Sequence, residues 1–204
     1  MSTARDDVLA RVRAALRDVP AGEDPVAPAY RPPAAAPDDV VALFVERVSD
    51  YRATVHHADD VAALAARVCA EHGARRIAIP PALPADWRPA GLELREDDGL
   101  SARDLDALDG TLTGCAVAIA ETGTIVLDAG PRSGRRALTL VPDLHLCVVQ
   151  RSQVLATVPD AIRALDGHRG PFTFVSGPSA TSDIELDRVE GVHGPRRLEV
   201  LLTE

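Results

Sequence analysis

The sequence predicts an α/β fold, in which helices cover both faces of an open, mostly parallel sheet. A strand–helix–strand pattern between Ala53 and Ile79 is the signature of two parallel strands joined by a crossover helix. Further short apolar segments, bounded by Gly and Pro, alternate with helical patterns along the chain. The length of 204 residues suits one such domain, and 46% hydrophobic with 26% charged residues is typical of a folded protein.

The first residues predict a helix that precedes this domain. Apolar residues recur at helical spacing between Val8 and Val19. Six prolines then fall between Pro20 and Pro37, in a stretch also rich in Ala, which is typical of an extended linker. We therefore divide the chain into an N-terminal helix with a Pro/Ala-rich linker, residues 1–37, and an α/β domain, residues 38–204.

The α/β domain begins with a helix, a strand and a second helix. The strand is predicted around residues 53–57, and either Asp59 or Asp60 can cap the helix that follows it. Gly73 ends that helix, because glycine readily adopts the left-handed conformation that often follows a last helical turn. A buried strand over residues 76–79 completes the strand–helix–strand unit.

The rest of the domain predicts a hairpin, short helices and single strands. Between Cys115 and Asp128, two apolar runs flank the polar break 121–123, which indicates a hairpin or a tightly bent strand pair. Thr157 caps a helix that holds Pro159 in its first turn. The other predicted elements are a helix that Ser101 caps and strands at residues 92–94, 137–141, 144–149, 172–175 and 198–202.

Composition and charge exclude several classes of function. Acidic residues outnumber basic ones by 31 to 22, which gives a formal charge of −9. Such a surface repels phosphate backbones, so no nucleic-acid partner is predicted. No apolar run reaches the length of a membrane span and the first residues lack a signal-peptide pattern, so a cytoplasmic protein is expected. The chain has no lysine, which rules out lysine Schiff-base catalysis and a P-loop.

The cysteines and histidines give no metal-binding pattern. Cys69, Cys115 and Cys147 lie far apart, whereas iron–sulfur clusters and zinc ribbons need clustered thiolates. We therefore expect no cofactor and no metal in this chain. His56 and His57 are adjacent, but neighbouring residues of a strand point to opposite faces and cannot easily chelate one ion.

Three polar, glycine-containing segments lie near predicted strand ends, where open α/β sheets bind their ligands. They are Ala120–Thr124, Ser176–Glu185 and Gly191–Pro195. Glycine allows backbone N–H groups to approach an anion closely, and Ser and Thr add hydroxyl donors. The segments indicate a site for a small anion, although each of them also has a purely structural interpretation.

The same segments carry a resemblance to a known family. AETGT (Ala120–Thr124), GPSATSDIE (Gly177–Glu185) and GVHGP (Gly191–Pro195) occur in this order, and LTLVPDLH (Leu138–His145) lies between the first two. Over residues 38–204 the chain resembles the lactate utilization protein C group of the LUD-domain proteins. The combination of motifs is specific, whereas the N-terminal helix adds little to the resemblance.

The resemblance implies a fold similar to that of the sugar-phosphate isomerase and CoA-transferase superfamily. It also implies a role in oxidising L-lactate to pyruvate beside iron–sulfur partner proteins. CoA transferases of the similar superfamily use a glutamate nucleophile, which makes Glu121 a candidate for a working carboxylate. The alternative is that Glu121 accepts backbone N–H bonds and shapes its loop.

The candidate site combines the three segments with a cluster of arginines. His193 can act as a general acid or base, or can bind a backbone carbonyl within its glycine-rich loop. Arg132, Arg135 and Arg136 can clamp a carboxylate or phosphate, or can lie in a solvated loop. The candidate catalytic residues are Glu121 and His193, and the candidate ligand-binding residues are Thr122, Gly123, Thr124, Arg132, Gly177, Ser179, Thr181 and Asp183.

Three functions remain open at this point. The first is a subunit of an L-lactate oxidation system that binds a small anion at the glycine-containing loops. The second is a stand-alone enzyme of acyl or CoA transfer that uses Glu121, and the third is a non-catalytic ligand-binding scaffold. The placement of the motifs predicts that one cleft is lined by Glu121, Ser179, Thr181, Asp183 and His193.

Overall fold

The computed structural model describes residues 4–18, 39–168, 170–178 and 194–204. These residues divide into two units, which are described separately. In the first unit, α1 (Ala4–Ala15) buries none of its side chains, and Val8, Val12 and Leu16 are about half exposed or more. The predicted linker and the predicted boundary at residue 37 lie outside the described residues.

The second unit is an α/β domain. Its elements in chain order are α2 (Val40–Asp50), β1 (Thr54–Ala58), α3 (Val61–Glu71), β2 (Arg76–Ile79), β3 (Glu93–Glu96), α4 (Ala102–Asp106), β4 (Gly110–Gly114), β5 (Val117–Ile119), β6 (Thr124–Leu127), β7 (Leu144–Gln150), β8 (Val154–Leu155), α5 (Val158–Ala164), β9 (Thr173–Val175) and β10 (Arg197–Thr203). Single 3₁₀ turns lie at Ala85–Trp87, Arg136–Thr139 and Arg151–Gln153.

Six strands form a parallel sheet in the order β1-β10-β7-β4-β2-β3. Side chains alternate along a strand, so β7 contributes to two cores. Leu146 and Val148 pack on the α3 side, and Cys147 and Val149 pack on the α2 side. Helices therefore cover both faces of a parallel sheet, as the sequence predicts.

The predicted hairpin is confirmed, and it belongs to a second sheet. β5 and β6 pair antiparallel, and the sheet order is β8-β5-β6-β9. This four-stranded sheet packs on the α2 side, where Ile125 and Leu127 share a core with Phe44 and Val48. A sequence pattern of period two marks a strand without specifying the sheet that the strand joins, which is why one sheet is predicted where two occur.

Polar caps begin the helices at the expected positions. Asp60 accepts the backbone N–H of Ala63 at 2.9 Å and so starts α3. Ser101 starts α4 in a reciprocal capping arrangement with Asp104, and Thr157 starts α5. These side chains satisfy N–H groups that have no partner within the first helical turn.

Two predicted details differ in the structure. The predicted strand over residues 137–141 is wrong, because the chain forms a 3₁₀ turn there and buries Leu138 against Leu105. A short apolar run fits either kind of element, and packing decides between them. The central strand β4 is missing from the prediction, because it has glycine at both ends and threonines instead of an apolar run. Its Thr111 hydroxyl is nevertheless satisfied by the carbonyl of Ala78 at 3.1 Å.

A buried carboxylate joins β1, β10 and the end of α3. Glu199 of β10 is 5% exposed, and its two oxygens lie 2.8 Å from His56 Nε2 and 2.9 Å from His72 Nε2. Arg197 donates to His72 Nδ1 at 3.3 Å, so the proton of a neutral His72 ring lies on Nε2, where it is donated to Glu199. The carboxylate is thus buried with hydrogen bonds to both oxygens.

Candidate functional site

The first two glycine-containing segments meet in the second sheet. β6 and β9 pair antiparallel, with Ile125 opposite Val175, and this register brings together the residues at their ends. Thr124 Oγ1 lies 2.7 Å from Ser176 Oγ and 2.8 Å from Thr122 Oγ1. Three hydroxyl groups from two distant parts of the sequence therefore form one hydrogen-bonded row.

Both glycine turns press against the C-terminal part of α2. Gly123 has φ +58°, and an added Cβ would lie 2.5 Å from the carbonyl carbon of Arg47. Gly177 has φ +87°, and an added Cβ would collide with the carbonyl oxygen of Tyr51. Glycine is required at both positions by the left-handed backbone and by the close approach to a helix.

A cavity of about 190 Å³ lies where the second and third segments converge. We call it the Arg136 cavity, and its lining includes Arg136, His145, Thr173, Ser176, Gly177 and Gly194. The lining residues His145 and Leu198 are the second residues of β7 and β10, so the cavity lies at the amino ends of these strands. It is therefore not at the carboxyl edge, where we expected the site.

The Arg136 cavity combines one positive charge, hydroxyl groups and an apolar wall. Arg136 Nη1 donates to Thr173 Oγ1 at 2.7 Å, which holds the guanidinium in place and leaves it further N–H groups. The apolar wall includes Leu140 and Phe174. A guanidinium beside hydroxyl donors suits the two oxygens of a carboxylate.

His145 is a structural member of this lining. It is 2% exposed, and its Nε2 lies 2.8 Å from the buried Thr113 hydroxyl. The hydrogen bond links β7 to β4 on the α2 side of the sheet. Thr113 and His145 thereby satisfy each other in a core that would otherwise leave two polar groups unpaired.

Glu121 lies apart from the Arg136 cavity. Its Oε1 accepts the backbone N–H of Val158, the first residue of α5, at 2.8 Å. With Thr122 it lines a shallow pocket that also contacts Arg47 and Tyr51 near the end of α2. The carboxylate is exposed, and its observed hydrogen bond anchors the turn to a helix N-terminus, as in the structural alternative.

Comparison with known proteins identifies the family. The family model described as "LUD domain" matches residues 41–203, which is most of the chain. The chain belongs to the LUD-domain family.

Relatives of this LUD domain include curated proteins and a solved structure. "Lactate utilization protein C" of Deinococcus radiodurans is 46% identical over 168 residues, which cover 80% of this chain and 79% of that protein. A protein of the same name from an Exiguobacterium species is 30% identical over 81% of this chain and 66% of that protein. A crystal structure of a DUF162 family protein from Deinococcus radiodurans superposes with a TM-score of 0.70 at 40% identity, over 81% of this chain and 96% of that one.

The three arginines of the predicted cluster lie in three different environments of the LUD domain. Arg135 binds both oxygens of the buried Asp97 at 2.7 Å, and it also donates to the carbonyl of Leu100. Arg136 lines the cavity described above. Arg132 lines another cavity, which we call the Cys115 cavity after the residue at the end of β4 that contributes to it. Sequence spacing alone cannot distinguish these roles, since all three follow one Gly-Pro turn.

The arginine partner of Asp97 offsets the effect of burial on the pKa of this carboxyl group. Burial alone raises the pKa of this carboxyl group, because it disfavours the charged form. The hydrogen bonds and charge of Arg135, with the backbone N–H groups of Gly99 and Leu100, outweigh that effect, so the pKa lies below its usual value. The pair fixes the loop before α4 to the segment that carries Arg136.

Two buried cysteines of the LUD domain form a pair that their spacing in the sequence does not predict. Cys115 and Cys147 pack in the same core on the α2 side. The hydrogen bond between the thiols lowers the pKa of Cys147, aided by His145 and Thr113, and raises that of Cys115. The two thiols therefore titrate as one unit.

Several candidate residues fall outside the described residues, namely Ser179, Thr181, Asp183 and His193. Of the candidates that are described, Thr122, Gly123, Thr124 and Gly177 come together at the end of α2, whereas Arg132 does not join them. Gly177 and Gly194, which flank the segment that holds the four candidates, both line the Arg136 cavity. The single cleft of the sequence analysis therefore stays a prediction.

Two properties of the described residues bear on cofactors and membranes. Across 4–18, 39–168, 170–178 and 194–204, no three side chains of His, Cys, Asp or Glu are grouped so that they could hold a metal ion. Within the same ranges, no helix is long and apolar enough to cross a bilayer.

Proposed function

We propose that this LUD-domain protein acts in lactate utilization by binding a small carboxylate, L-lactate or pyruvate, in the Arg136 cavity. The observation that supports this most directly is the convergence of Arg136, Ser176, Gly177 and Gly194 on one cavity. The relatives named for lactate utilization supply the substrate class. The family resemblance found in the sequence supports the same role in lactate utilization.

The chemistry of the cavity fits a short carboxylic acid. Arg136 offers a bidentate donor for the carboxylate, and the Ser176 hydroxyl can bond to the oxygen on the second carbon. Leu140 and Phe174 offer an apolar surface for the methyl group. At about 190 Å³, the space bounded by described residues is below the range of about 300–1,000 Å³ that is typical of sites for larger ligands.

We further propose that the electrons of lactate oxidation pass to iron–sulfur partner proteins. Oxidation of L-lactate to pyruvate releases two electrons and two protons, which need a redox cofactor as acceptor. An iron–sulfur cluster takes four ligands, commonly thiolates, and this sequence contains three widely separated cysteines. The proposed task of this chain is therefore to bind and orient the acid within the complex.

A binding titration with matched variants tests the first step. We expect L-lactate or pyruvate to shift the NMR signals of residues 173–177 in the full chain, and Arg136→Gln to weaken binding by about tenfold or more, since a charged hydrogen bond contributes about 1.5–3 kcal/mol. Arg103→Gln, an exposed substitution on α4, is the control. Unchanged affinity in Arg136→Gln would contradict the site.

Growth on lactate tests the role. Deletion of the gene is expected to abolish growth on L-lactate as the sole carbon source, and complementation with Arg103→Gln, but not Arg136→Gln, should restore it. The purified chain should be colourless and should not reduce an artificial electron acceptor with L-lactate until iron–sulfur partner proteins are added. Steady turnover by the isolated chain would overturn the proposed division of labour.

A further inference from the structure

The strands β2 and β4 lie side by side, and the chain leaves them on opposite faces of the sheet. After β2 it passes through Leu83 and Trp87, which pack on the α3 side, and continues to the outer strand β3. After β4 it passes to the hairpin on the α2 side and returns in β7 on the other flank. This is a topological switch point, and ligands of open parallel sheets bind beyond the carboxyl ends of the strands at such points.

The Cys115 cavity lies at this edge, beside the end of β4. Its volume of about 350 Å³ falls within the range of about 300–1,000 Å³ for small-molecule sites. Cys115, Asp128, Arg132, Leu165 and His168 contribute to its lining. None of its lining residues belongs to the Arg136 cavity, so the two are separate spaces.

Arg132 is fixed to the end of β4 through its backbone. The N–H of Gly114 donates to the carbonyl of Arg132 at 2.9 Å, and a Cβ added to Gly114 would come within 3.4 Å of Arg132 Cβ and 3.2 Å of the Trp87 ring. The absence of a side chain at Gly114 thus allows this close approach. The backbone hydrogen bond to the end of β4 therefore sets the position of the Arg132 backbone, independently of the Arg132 side chain.

The guanidinium of Arg132 makes no hydrogen bond or ion pair with any of the described residues. By contrast, Arg135 binds Asp97 and Arg136 binds Thr173. In a chain with nine more acidic than basic residues, an exposed guanidinium that lines a cavity and has no carboxylate partner among the described residues is available for an external one.

The acid that shares the cavity is already engaged elsewhere. Asp128 Oδ1 accepts from the N–H of Gly130 at 3.0 Å and from the Ser133 hydroxyl at 2.8 Å. Its Oδ2 lies 4.0 Å from His168 Nδ1. These contacts hold the carboxylate in its own turn, and among the described residues no ion pair joins Asp128 to Arg132.

Cys115 forms a neutral part of the lining. It is 2% exposed, and its Sγ lies 3.6 Å from Gln153 Oε1, to which the S–H group can donate. The hydrogen bond to Cys147 and burial both raise the pKa of Cys115, so this side chain is held as the neutral thiol. A protonated thiol is a poor nucleophile, which favours reversible binding over covalent chemistry.

We propose that the Cys115 cavity is a second ligand site, in which Arg132 binds the carboxylate or phosphate group of a small molecule at the carboxyl edge of the sheet. The ligand lies beside Leu165 and Cys115, and His168 lies within the same lining. The site is independent of the Arg136 cavity, and its assignment does not rest on lactate as the substrate.

The test is an NMR titration of the full chain at constant ionic strength with two probes, sodium pyruvate and inorganic phosphate. We expect saturable shifts at residues 114–116, 131–132 and 168 with at least one probe, and the probe that saturates identifies the anionic group. Arg132→Gln should weaken these shifts by about tenfold or more while Arg103→Gln leaves them unchanged. Thermal unfolding of both variants verifies that they are folded.

The Arg136→Gln variant separates this site from the proposed lactate site. In that variant the shifts at residues 114–116 should persist with unaltered affinity, whereas those at residues 173–177 should weaken. The second site is overturned if neither probe produces saturable shifts at residues 114–116, or if Arg132→Gln binds as tightly as the parent chain. If saturable shifts occur at residues 114–116 but not at residues 173–177, the proposed lactate site is overturned and the Cys115 cavity remains supported.

Discussion

The hydroxyl of Thr124 lies 2.7 Å from the hydroxyl of Ser176, although 52 positions separate the two residues in the sequence. This hydrogen bond ties the AETGT turn to the segment that lines the Arg136 cavity. Since Thr124 is itself almost fully buried, its hydroxyl has few alternative partners in solvent. This buried contact therefore couples the turn to the cavity.

Thr124→Val is expected to lower the free energy of unfolding by roughly 1 kcal/mol, because it removes a buried hydrogen bond. It should also weaken carboxylate binding severalfold, because Ser176 loses the partner that orients its hydroxyl. Denaturant titration and ligand titration measure the two effects. Thr54→Val, at an exposed position of the edge strand β1, is the control, and equal effects of both substitutions would contradict the role of the contact.

Gly123→Ala is expected to destabilise the fold by at least about 2 kcal/mol, since a left-handed backbone and a collision with Arg47 combine. Gly73→Ala is a matched control, because Gly73 has a similar φ of +68° but nothing within 4 Å of an added Cβ. It should cost about 1 kcal/mol from the backbone alone. If the two variants unfold at the same denaturant concentration, close packing against α2 contributes nothing.

The Asp97–Arg135 pair predicts a pH-dependent contribution to stability. Because the pKa of Asp97 is lowered in the folded state, the stabilisation is complete above the unfolded value of about 3.9 and is lost as the pH falls through the folded value. Arg135→Gln should cost about 1–2 kcal/mol at pH 7, discounted for the exposure of Arg135. Urea titrations from pH 7 down to pH 2.5 should show the difference shrinking, and a constant difference would refute the linkage.

Substitution of Glu121 distinguishes an anchor from a nucleophile. Glu121→Gln keeps an oxygen that can accept from Val158, so it should cost less than about 0.5 kcal/mol, whereas Glu121→Ala should cost about 1 kcal/mol. Denaturant titration compares the two. A CoA-dependent exchange that the parent chain performs and Glu121→Gln abolishes would instead support the transferase alternative.

Removal of residues 1–37 tests the domain boundary. We expect the remaining chain to fold with an unchanged unfolding midpoint, and its association or solubility to change, because the removed segment carries the exposed apolar residues Val8, Val12 and Leu16. Light scattering and thermal unfolding provide the readouts. Val12→Ser in the full chain should reproduce part of the change in association, and a truncated chain that fails to fold would move the boundary.

The sequence predicts much of the fold because local patterns determine its elements. Asp60, Ser101 and Thr157 mark helix starts through their own hydrogen bonds, and the 121–123 break marks the hairpin. The sequence does not predict β4, because this strand is buried by its position between β7 and β2 and has no apolar run of its own. The second sheet is not predicted either, since the pairing of β6 with β9 joins positions about fifty residues apart.

The candidate site is less predictable, because it depends on how distant segments meet. Two of the three motif segments converge, since Ser176 and Gly177 share a cavity with Gly194. Arg132, which the sequence predicts as a ligand-binding residue, lies four positions before Arg136, yet the two line different cavities. Thr173, which holds Arg136, carries no sequence signal beyond its place at the start of a predicted strand region.

The position of β10 has a consequence for the order of assembly during synthesis. Among the described strands β10 comes last in the sequence, yet it lies between β7 and β1, and β1 pairs with no other described strand. During synthesis on the ribosome, β1 therefore has no strand partner while more than a hundred residues are added. Pairing β1 with β10 then closes a long loop, which carries an entropy cost. Until residues 197–203 emerge, the edges of β1 and β7 that later pair with β10 are free to bind non-native strands. Completion of the sheet is a late folding event that seals both edges at once.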